Sequence, residues 1–337
     1  MPDQSPSKAV PEINLASAAL GARVLWCSDE FFAPAERMLN PAPPVFIADK
    51  YDDHGKWMDG WETRRRRDDG HDLALVALAT GARLTRFDVE TTHFTGNFPP
   101  ACRIEACRSA APPAADTTWT ELLPTSPLAG NSHNLFACTP SDGDPGASWT
   151  HLRLHIYPDG GVARFRAFGQ PVLDPAAAAG PIDLAAALNG GRVVGVSDAH
   201  YGDFTQILAP GRGRDMGDGW ETSRRRSPGH DWIVVALGTR GRIREVIVDT
   251  AHYKGNFPHS CSLHAADLSG VRGELPAAIL AASMYWRELL PQTLLQADRE
   301  HRFDTAQLAD LGPVTHARLN IFPDGGVSRL RLFGAVE

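Results

Sequence analysis

The sequence predicts an all-β protein made of two tandem β-sandwich or jelly-roll domains with a few short helices. Two observations lead to this fold class. Most of the sequence occurs in two similar copies. Each copy has short apolar or alternating runs that are separated by Gly- and Pro-containing turns. The chain has 337 residues, which is enough for two domains of ordinary size, each with its own core.

The duplication is clearest in a motif that combines an aromatic residue with charge. DGWETRRRR at Asp59–Arg67 returns 159 residues later as DGWETSRRR at Asp218–Arg226. A longer block at Thr150–Gly169 returns at Thr315–Gly334, and a Pro- and Ala-rich stretch follows its first copy. A fixed internal repeat of this length indicates two copies of one domain.

The linker between the copies sets the expected domain limits. We expect a first repeat at residues 1–175 and a second at residues 176–337. The polar, Pro-containing residues 1–12 are expected to be disordered.

Composition narrows the classes of function. The formal net charge is -7 and no basic excess is present, which argues against a nucleic-acid partner. Neither a signal peptide nor an apolar run long enough to span a bilayer is visible, so no membrane partner is expected. The five cysteines form no C-x-x-C pair and do not recur between copies, as expected for reduced thiols in the cytoplasm.

The apolar pattern predicts the strands. Leu73–Leu78 and Trp232–Leu237 are typical of strands that are buried on both faces. In Thr150–Tyr157 every second residue is apolar, and Pro158–Gly161 supplies turn residues, so we expect a hairpin there. Short helical turns are expected at several places, including Trp119–Leu123.

The order of these segments also predicts where the polar loops lie. If WET, the run after His71 and Asp72, and the run that ends at Val89 are successive antiparallel strands, their directions alternate. The Arg-rich connection after WET and the HFTGNFP loop then share one end of the sandwich. Loops at one end of a rigid scaffold are a common position for functional residues.

Glutamate and arginine are the first candidate functional residues. Glu62 and Glu221 follow a Trp in both copies, and each is either a general base or ligand anchor, or a partner of the adjacent arginines. Guanidinium groups bind carboxylates with two parallel hydrogen bonds, but a solvated loop with surface ion pairs is the alternative. The candidate substrate-binding arginines are Arg65, Arg66, Arg67, Arg224, Arg225 and Arg226.

Histidine and asparagine complete the repeated set. His71 and His230 each precede an Asp at the start of a buried strand, where a His could be a general acid or base or could close a loop. A second pair of His residues lies beside a Gly-Asn-Phe-Pro loop, which is either a binding loop for a urea-like group or a structural loop. These residues are His93, Asn97, His252 and Asn256. The spacing marks no dedicated metal site, so metal ligands stay unknown and a divalent metal cofactor stays open.

At these motifs the chain resembles the allantoicase family. The matching motifs are DGWETRRRR, GHD before an apolar strand, HFTGNFP and HYKGNFP, W-x-E-L-L-P, and TH-x-R-L-x-I-x-PDGGV-x-R-x-R-x-FG. They occur in both copies and cover the chain from about residue 20. One departure is Leu73, where the second copy has Trp232 and the family commonly has Trp; we expect a packing difference there.

The resemblance implies a repeated jelly roll of the galactose-binding-like type and the hydrolysis of allantoate to ureidoglycolate and urea, in the degradation of allantoin. It also makes a homo-oligomer an expectation. We expect Glu62 or Glu221 to activate water, and one of His71, His93 or their copies to protonate the leaving nitrogen. The alternatives are a pair of non-catalytic modules that bind a ligand, since fold alone does not settle function, and an amidohydrolase that acts on a related ureide.

Overall fold

The computed structural model describes residues 12–140, 147–172, 180–271 and 277–337. The described residues fall into two compact units, one that covers Glu12–Val172 and one that runs from residue 180 to residue 337. The expected domain boundary near residue 175 and the expected disorder of residues 1–11 lie outside the described residues. Glu12 is described, and its carboxylate accepts hydrogen bonds from Thr85 and Arg86.

The first repeat consists of short strands around one long strand. The strands are β1 (Ile13–Asn14), β2 (Arg23–Cys27), β3 (Tyr51–Asp52), β4 (Gly55–Lys56), β5 (Trp61–Glu62), β6 (Asp72–Glu90), β7 (Ala101–Cys107), β8 (Thr120–Pro127), β9 (Leu135–Ala137), β10 (Trp149–Tyr157), β11 (Gly161–Val162) and β12 (Arg164–Pro171).

Strand β6 belongs to both layers of the sandwich. Its first half pairs with β2 and β10, and its second half pairs with β9 and β12. Strands β7 and β8 extend the first layer beyond β10, and β1 extends the second layer beyond β12. Apolar side chains of both halves, such as Val76 and Phe87, lie in one buried cluster. This arrangement is a jelly-roll sandwich in which one strand changes layer.

The continuous β6 corrects one sequence expectation. The run after His71 and the run that ends at Val89 are two halves of one strand and not two strands. Because the halves lie in different layers, Asp72 pairs with the end of β10 and Glu90 pairs with the start of β12. Both ends of β6 therefore meet the connection between β10 and β12, and the two polar loops lie near one another.

The connection at Pro158–Gly161 is also different from the expected hairpin. Strands β10 and β12 pair with opposite halves of β6 and not with each other. The turn therefore joins two layers, and its own strand β11 pairs with β5 instead. The alternation itself is confirmed, because Leu152, Leu154 and Ile156 are fully buried.

The second repeat has the same sandwich topology. Its strands are β13 (Ile182–Asp183), β14 (Arg192–Val196), β15 (Trp220–Glu221), β16 (Asp231–Asp249), β17 (Ser260–Ala266), β18 (Arg287–Leu294), β19 (Glu300–Phe303), β20 (Val314–Phe322), β21 (Gly326–Val327) and β22 (Arg329–Val336). Strand β16 changes layer as β6 does, with β14 and β20 on its first half and β19 and β22 on its second half.

Helices are short in the described residues. They are the 3₁₀ helices Ala18–Leu20, Ala35–Leu39, Ala187–Asn189, Phe204–Leu208 and Ser283–Tyr285 and the α-helix Ala277–Ala282. The expected helical turn at Trp119–Leu123 is wrong, because Thr120–Pro127 pairs with β7 as strand β8. None of the described helices has the length and apolar character needed to cross a membrane. The prediction of a mainly β protein with two repeats is confirmed.

Candidate active site

Glu62 and Asn97 form a hydrogen-bonded pair in the first repeat. Glu62 lies in the short strand β5, and Asn97 lies in the loop after β6. Asn97 Nδ2 donates to Glu62 Oε1 over 2.7 Å. Burial raises the pKa of the Glu62 carboxyl, and the hydrogen bond from Asn97 opposes that rise. The structure thus brings together two of the residues that the sequence nominated.

The second repeat builds the same pair. Asn256 Nδ2 donates to Glu221 Oε1 over 2.5 Å. Two main-chain amides, of His200 and Tyr201, donate to the Glu221 carbonyl oxygen, as Phe32 and Ala33 do to Glu62. Backbone and side chain of each Glu are therefore held by equivalent contacts in the two repeats.

The turn between β10 and β12 places the Asn loop beside the Glu strand. The Gly161 amide donates to the Asn97 carbonyl oxygen over 2.7 Å, and Gly161 pairs with Glu62 across strands β11 and β5. A Cβ on Gly161 would lie 2.0 Å from the Phe94 ring, so only glycine permits this approach. The same relation holds in the second repeat, where a Cβ on Gly326 would lie 2.1 Å from the Tyr253 ring.

His93 and His252 occupy the loop that carries the Asn. Both have positive φ angles, 70° and 71°, which are uncommon for residues other than glycine. Their main-chain amides donate to the side chains of Asn131 and Asp298, and these bonds fix the unusual backbone.

The rings of the same two histidines contact carbonyl oxygens. His93 Nε2 lies 3.3 Å from the Pro44 oxygen, and His252 Nε2 lies 2.8 Å from the Gly213 oxygen. Since a carbonyl oxygen only accepts, Nε2 carries the proton in both rings. In a neutral ring Nδ1 is then the atom that can take up a proton.

His71 and His230 have hydrogen bonds of a different kind. His71 Nε2 lies 2.9 Å from His155 Nδ1, and His230 Nε2 lies 3.2 Å from Asn320 Oδ1. Burial lowers the pKa of both rings; nearby arginines lower it further. These bonds are separate from the Glu62–Asn97 and Glu221–Asn256 pairs.

The middle arginine of each run has a structural partner. Arg66 Nη1 bonds with Asp72 Oδ1 over 2.8 Å, and Asp72 is fully buried. Arg225 makes the equivalent ion pair with Asp231. Ser28 and Ser197 donate to the same two carboxylates. These contacts hold the start of the long strand β6 or β16.

The arginines on either side of Arg66 and Arg225 are exposed and have no ion-pair partner within the described parts of the chain. They are Arg65, Arg67, Arg224 and Arg226. Their guanidinium groups can therefore bind an anion without first losing a partner. Arg64 differs, because it is bound to Asp29 over 2.6 Å.

An open cleft lies beside strand β5 in the first repeat. Its volume is about 390 Å³. The residues that line it are Cys27, Ser28, Asp29, Glu30, Phe31, His54 and Arg64. The cleft adjoins the Glu62 strand, because Arg64, which lines it, lies two residues after Glu62. A ligand of the size of a small carboxylic acid fits this space.

One cluster has the donor types of a metal site. Asp88, Glu90 and His133 offer ligand atoms that lie within 4.8 Å of one another, and the buried Asp88 Oδ1 has no hydrogen-bond partner. Arg166 Nη1, however, lies 2.6 Å from Glu90 Oε2 and 3.2 Å from Asp88 Oδ2. Because the Arg166 guanidinium already binds an oxygen of both carboxylates and offsets one of their two charges, the cluster does not fit a resident metal ion, and we derive no catalytic step through one.

Sequence reasoning missed two pairs of polar side chains, each with one buried member, Arg164 or His155. Asp59 forms an ion pair of 2.7 Å with the fully buried Arg164, so the Asp of DGWET holds the core and not a ligand. The recurrence of Asp and Arg in both copies was the signal that could have found this pair. His155 and its partner Glu105 had no such signal, because their counterparts are Asn320 and His264.

Comparison with known proteins identifies the family. The family model of the allantoicase repeat matches residues 13–172 and 182–337. A "Probable allantoicase" of Rhizobium meliloti (strain 1021) is 55% identical over 332 residues, which cover 98% of this chain and 96% of the relative. "Probable allantoicase 1" of Burkholderia mallei (strain ATCC 23344) is 53% identical over 329 residues, with coverages of 96% and 95%.

Solved structures lead to the same family. A structure of allantoicase matches with a TM-score of 0.74 and 33% identity over 96% of this chain and 93% of that chain. A crystal structure of allantoicase from Saccharomyces cerevisiae matches with a TM-score of 0.74 and 34% identity over the same shares. The fold, the twice-built Glu–Asn pair and these matches agree: the chain belongs to the allantoicase family.

Proposed function

We propose that this protein is an enzyme that hydrolyses allantoate to (S)-ureidoglycolate and urea in the degradation of allantoin. Membership of the allantoicase family supports the reaction. The observation that carries the catalytic assignment is the oriented, half-buried carboxylate of Glu62, which is repeated as Glu221. A non-catalytic module needs no carboxylate whose basicity is increased by burial.

Glu62 is the residue that activates water in this proposal. Asn97 binds Oε1, and Oε2 has no further hydrogen bond in the described residues. Because burial raises the pKa of this carboxyl, it is a stronger base than an exposed glutamate. The water loses a proton to Oε2, and its oxygen attacks the central carbon of allantoate.

A histidine delivers the proton to the departing urea nitrogen. A neutral ureido group leaves poorly, so general acid assistance contributes about 10²–10⁴-fold. His93 and His252 have Nδ1 available for this exchange, since Nε2 is bound to a carbonyl oxygen. His71 and His230 are the second pair of candidates.

Allantoate also has one carboxylate and two ureido groups to be bound. The exposed guanidinium groups of Arg65, Arg67, Arg224 and Arg226 can bind the carboxylate in the bidentate manner. Arg66 and Arg225 support this loop through their buried aspartates. Asn97 and Asn256 orient the catalytic carboxylates through Nδ2, and their side-chain Oδ1 atoms can accept hydrogen bonds from a ureido group.

We also propose that the enzyme acts in the cytoplasm as a homo-oligomer, with a boundary between the repeats near residue 175. All five cysteines are free thiols, as a reducing compartment maintains them. The oligomer is testable by light scattering of the purified chain, and a monomer mass would overturn it.

The central test is the release of urea from allantoate by purified protein and by Glu62→Gln, Glu221→Gln and double variants. We expect the double variant to lose about 10²–10⁴-fold in kcat, since glutamine keeps the size of the side chain but accepts no proton. Glu36→Gln is the matched control, because Glu36 is exposed and lies outside the pair.

Further arms of this assay separate the alternatives. Urea from allantoin or ureidoglycolate but not from allantoate would indicate a different ureide hydrolase, and no urea from any of the three would favour a binding module. Loss of activity with a chelator would contradict a mechanism without a metal. An unchanged rate in the double variant would exclude Glu62 and Glu221 as the base.

A further inference from the structure

A chain of three titratable side chains lies on the outer face of the first layer in repeat one. His71 Nε2 is 2.9 Å from His155 Nδ1, and His155 Nε2 is 2.8 Å from Glu105 Oε2. His155 is 4% exposed although it belongs to the outward face of β10. The chain thus connects an accessible imidazole with a carboxylate through a buried one.

The proton positions in this chain follow from its carboxylate end. A carboxylate only accepts, so His155 Nε2 carries a proton. Burial lowers the pKa of His155 to about 4, and its neutral ring then has a lone pair on Nδ1. His71 Nε2 must donate to this lone pair. His71 is consequently fixed as the Nε2–H tautomer, with Nδ1 free to accept a proton.

Repeat two reaches the same tautomer with different residues. Arg318 Nε donates to Asn320 Oδ1 over 2.7 Å, which identifies that atom as the amide oxygen. His230 Nε2, 3.2 Å from the same oxygen, must therefore donate as well. Inheritance of the same residues cannot explain this agreement, because the partners differ between the repeats. The shared result indicates a requirement for Nδ1 as the accepting atom.

The two environments differ in charge. The groups that face His71 are Arg66, Asp72, Arg103, Glu105, His155 and Tyr157. The groups that face His230 are Arg225, Asp231, His264, Arg318 and Asn320. Among the residues that the structure describes, only repeat one places a second imidazole and, behind it, a carboxylate next to this histidine. In repeat two Asn320 and His264 stand at those places, and the Arg318 guanidinium bonds with the same Asn320 oxygen that faces His230.

We propose that His155 and Glu105 are positioning residues that stabilise His71 in its protonated form, so that His71 of repeat one delivers a proton to the leaving urea up to a higher pH than His230 of repeat two, which faces Asn320 and Arg318 instead. In the charged state His71 has protons on both Nδ1 and Nε2, its Nε2–H is donated to His155 Nδ1, and His155 Nε2–H is donated to Glu105. Delivery of the His71 Nδ1 proton to the leaving nitrogen leaves His71 as its neutral Nε2–H tautomer. This restores the resting protonation of the three side chains without an additional proton donor. The inference rests on the proposed hydrolysis of allantoate.

The residue at the equivalent position of repeat two, and a neighbour on the same strand, supply two of the test variants. His155→Asn introduces the side chain that repeat two uses, and Glu105→Gln removes the negative charge with little change in size. His151→Asn is the matched control, since His151 lies on the same face of the same strand but bonds with Thr150. Thermal melting checks that each variant is folded, and if His155→Asn does not fold, Glu105→Gln and the wild type still decide.

The first measurement is independent of activity. Nitrogen-15 NMR of histidine-labelled wild type should show His71 in the Nε2–H tautomer at neutral pH, and His155→Asn should keep that tautomer. An Nδ1–H tautomer in the wild type would overturn the proposal whether or not the protein hydrolyses allantoate.

The second measurement is the pH profile of kcat/KM for urea release. Removal of a nearby negative charge lowers the pKa of a histidine by about one unit or more. Because the protonated form delivers the proton, Glu105→Gln and His155→Asn should lose activity at a lower pH than the wild type, by about one pH unit. His151→Asn should keep the wild-type profile. Identical profiles for all four proteins would overturn the proposal and leave the proposed function intact, whereas a wild type that releases no urea from allantoate overturns the proposed function.

Discussion

The two repeats agree in the contacts that hold the Glu–Asn pair and differ in the charges next to the conserved histidine. In both, the Trp before the Glu is fully buried, and its indole nitrogen donates to an Asp carbonyl oxygen, that of Asp29 or Asp198. In repeat one the histidine is backed by His155 and Glu105. In repeat two Asn320 stands in place of His155.

A second position shows the same pattern: both repeats keep the aspartate that accepts hydrogen bonds, but the side chain that donates to it differs. The Asp29 carboxylate binds the main chain and the guanidinium of Arg64. The Asp198 carboxylate binds the main chain and the hydroxyl of Ser223. The loop geometry was kept while its charge was lost, so duplication preserves position more strictly than chemistry.

The Asp–Arg ion pair that both repeats contain should have the largest effect on the free energy of unfolding, and the effect should be similar in the two repeats. Arg164→Met removes the buried ion-pair partner of Asp59, and Arg329→Met removes the buried partner of Asp218, whose other partner, Arg214, is mostly exposed. Removing one member of a buried ion pair destabilises a protein by about 3–5 kcal/mol. Denaturant unfolding of the two variants should therefore show similar losses. If only one of the two variants lost unfolding free energy, the two repeats would not be equivalent at this ion pair.

Acid should destabilise the repeats through histidines at different places. Burial lowers the pKa of His155 in repeat one and of His316 in repeat two to about 4. Their unfolded forms titrate near the ordinary value of about 6.5, so stability is complete above that pH and falls between 6.5 and 4.

Single substitutions separate the two contributions. His155→Asn and His316→Asn should each flatten the loss of unfolding free energy between pH 7.5 and 5. Denaturant melts at these two pH values measure it. If either variant keeps the wild-type slope, that histidine is not a source of the acid sensitivity.

The arginines bound to buried aspartates should show an intermediate effect. Arg66→Ala and Arg225→Ala each remove a charged hydrogen-bond partner from Asp72 or Asp231. A hydrogen bond to a charged group contributes about 1.5–3 kcal/mol, so unfolding free energies should fall by that amount in both. Arg64→Ala is a control of the same type at an exposed position. An unchanged stability of Arg66→Ala would show that Ser28 alone satisfies Asp72.

The sequence could predict the repeats, the β class and the nominated Glu and Asn because these depend on local pattern and recurrence. It could not predict that β6 changes layer, because the apolar run Leu73–Leu78 and the alternating run that ends at Val89 read as two separate strands. It also could not find the chain from His71 to Glu105. Its residues lie just before β6, in β10 and in β7, and repeat two has other residues in place of His155 and Glu105, so recurrence gave no signal for it.

The exposed arginines should have the smallest effect on stability, so their variants test substrate binding separately from folding. Arg65 and Arg67, with Arg224 and Arg226 in repeat two, are exposed, so substitution by Ala should change the unfolding free energy by no more than about 0.5 kcal/mol. If they bind the substrate carboxylate, the same variants should raise KM for allantoate about tenfold, which corresponds to about 1.4 kcal/mol of binding. A rise in only one repeat would assign binding of the carboxylate to that repeat. A KM that stays at the wild-type value in all four variants would leave these arginines as a solvated loop, because a group that binds substrate and not the fold must change KM when it is removed.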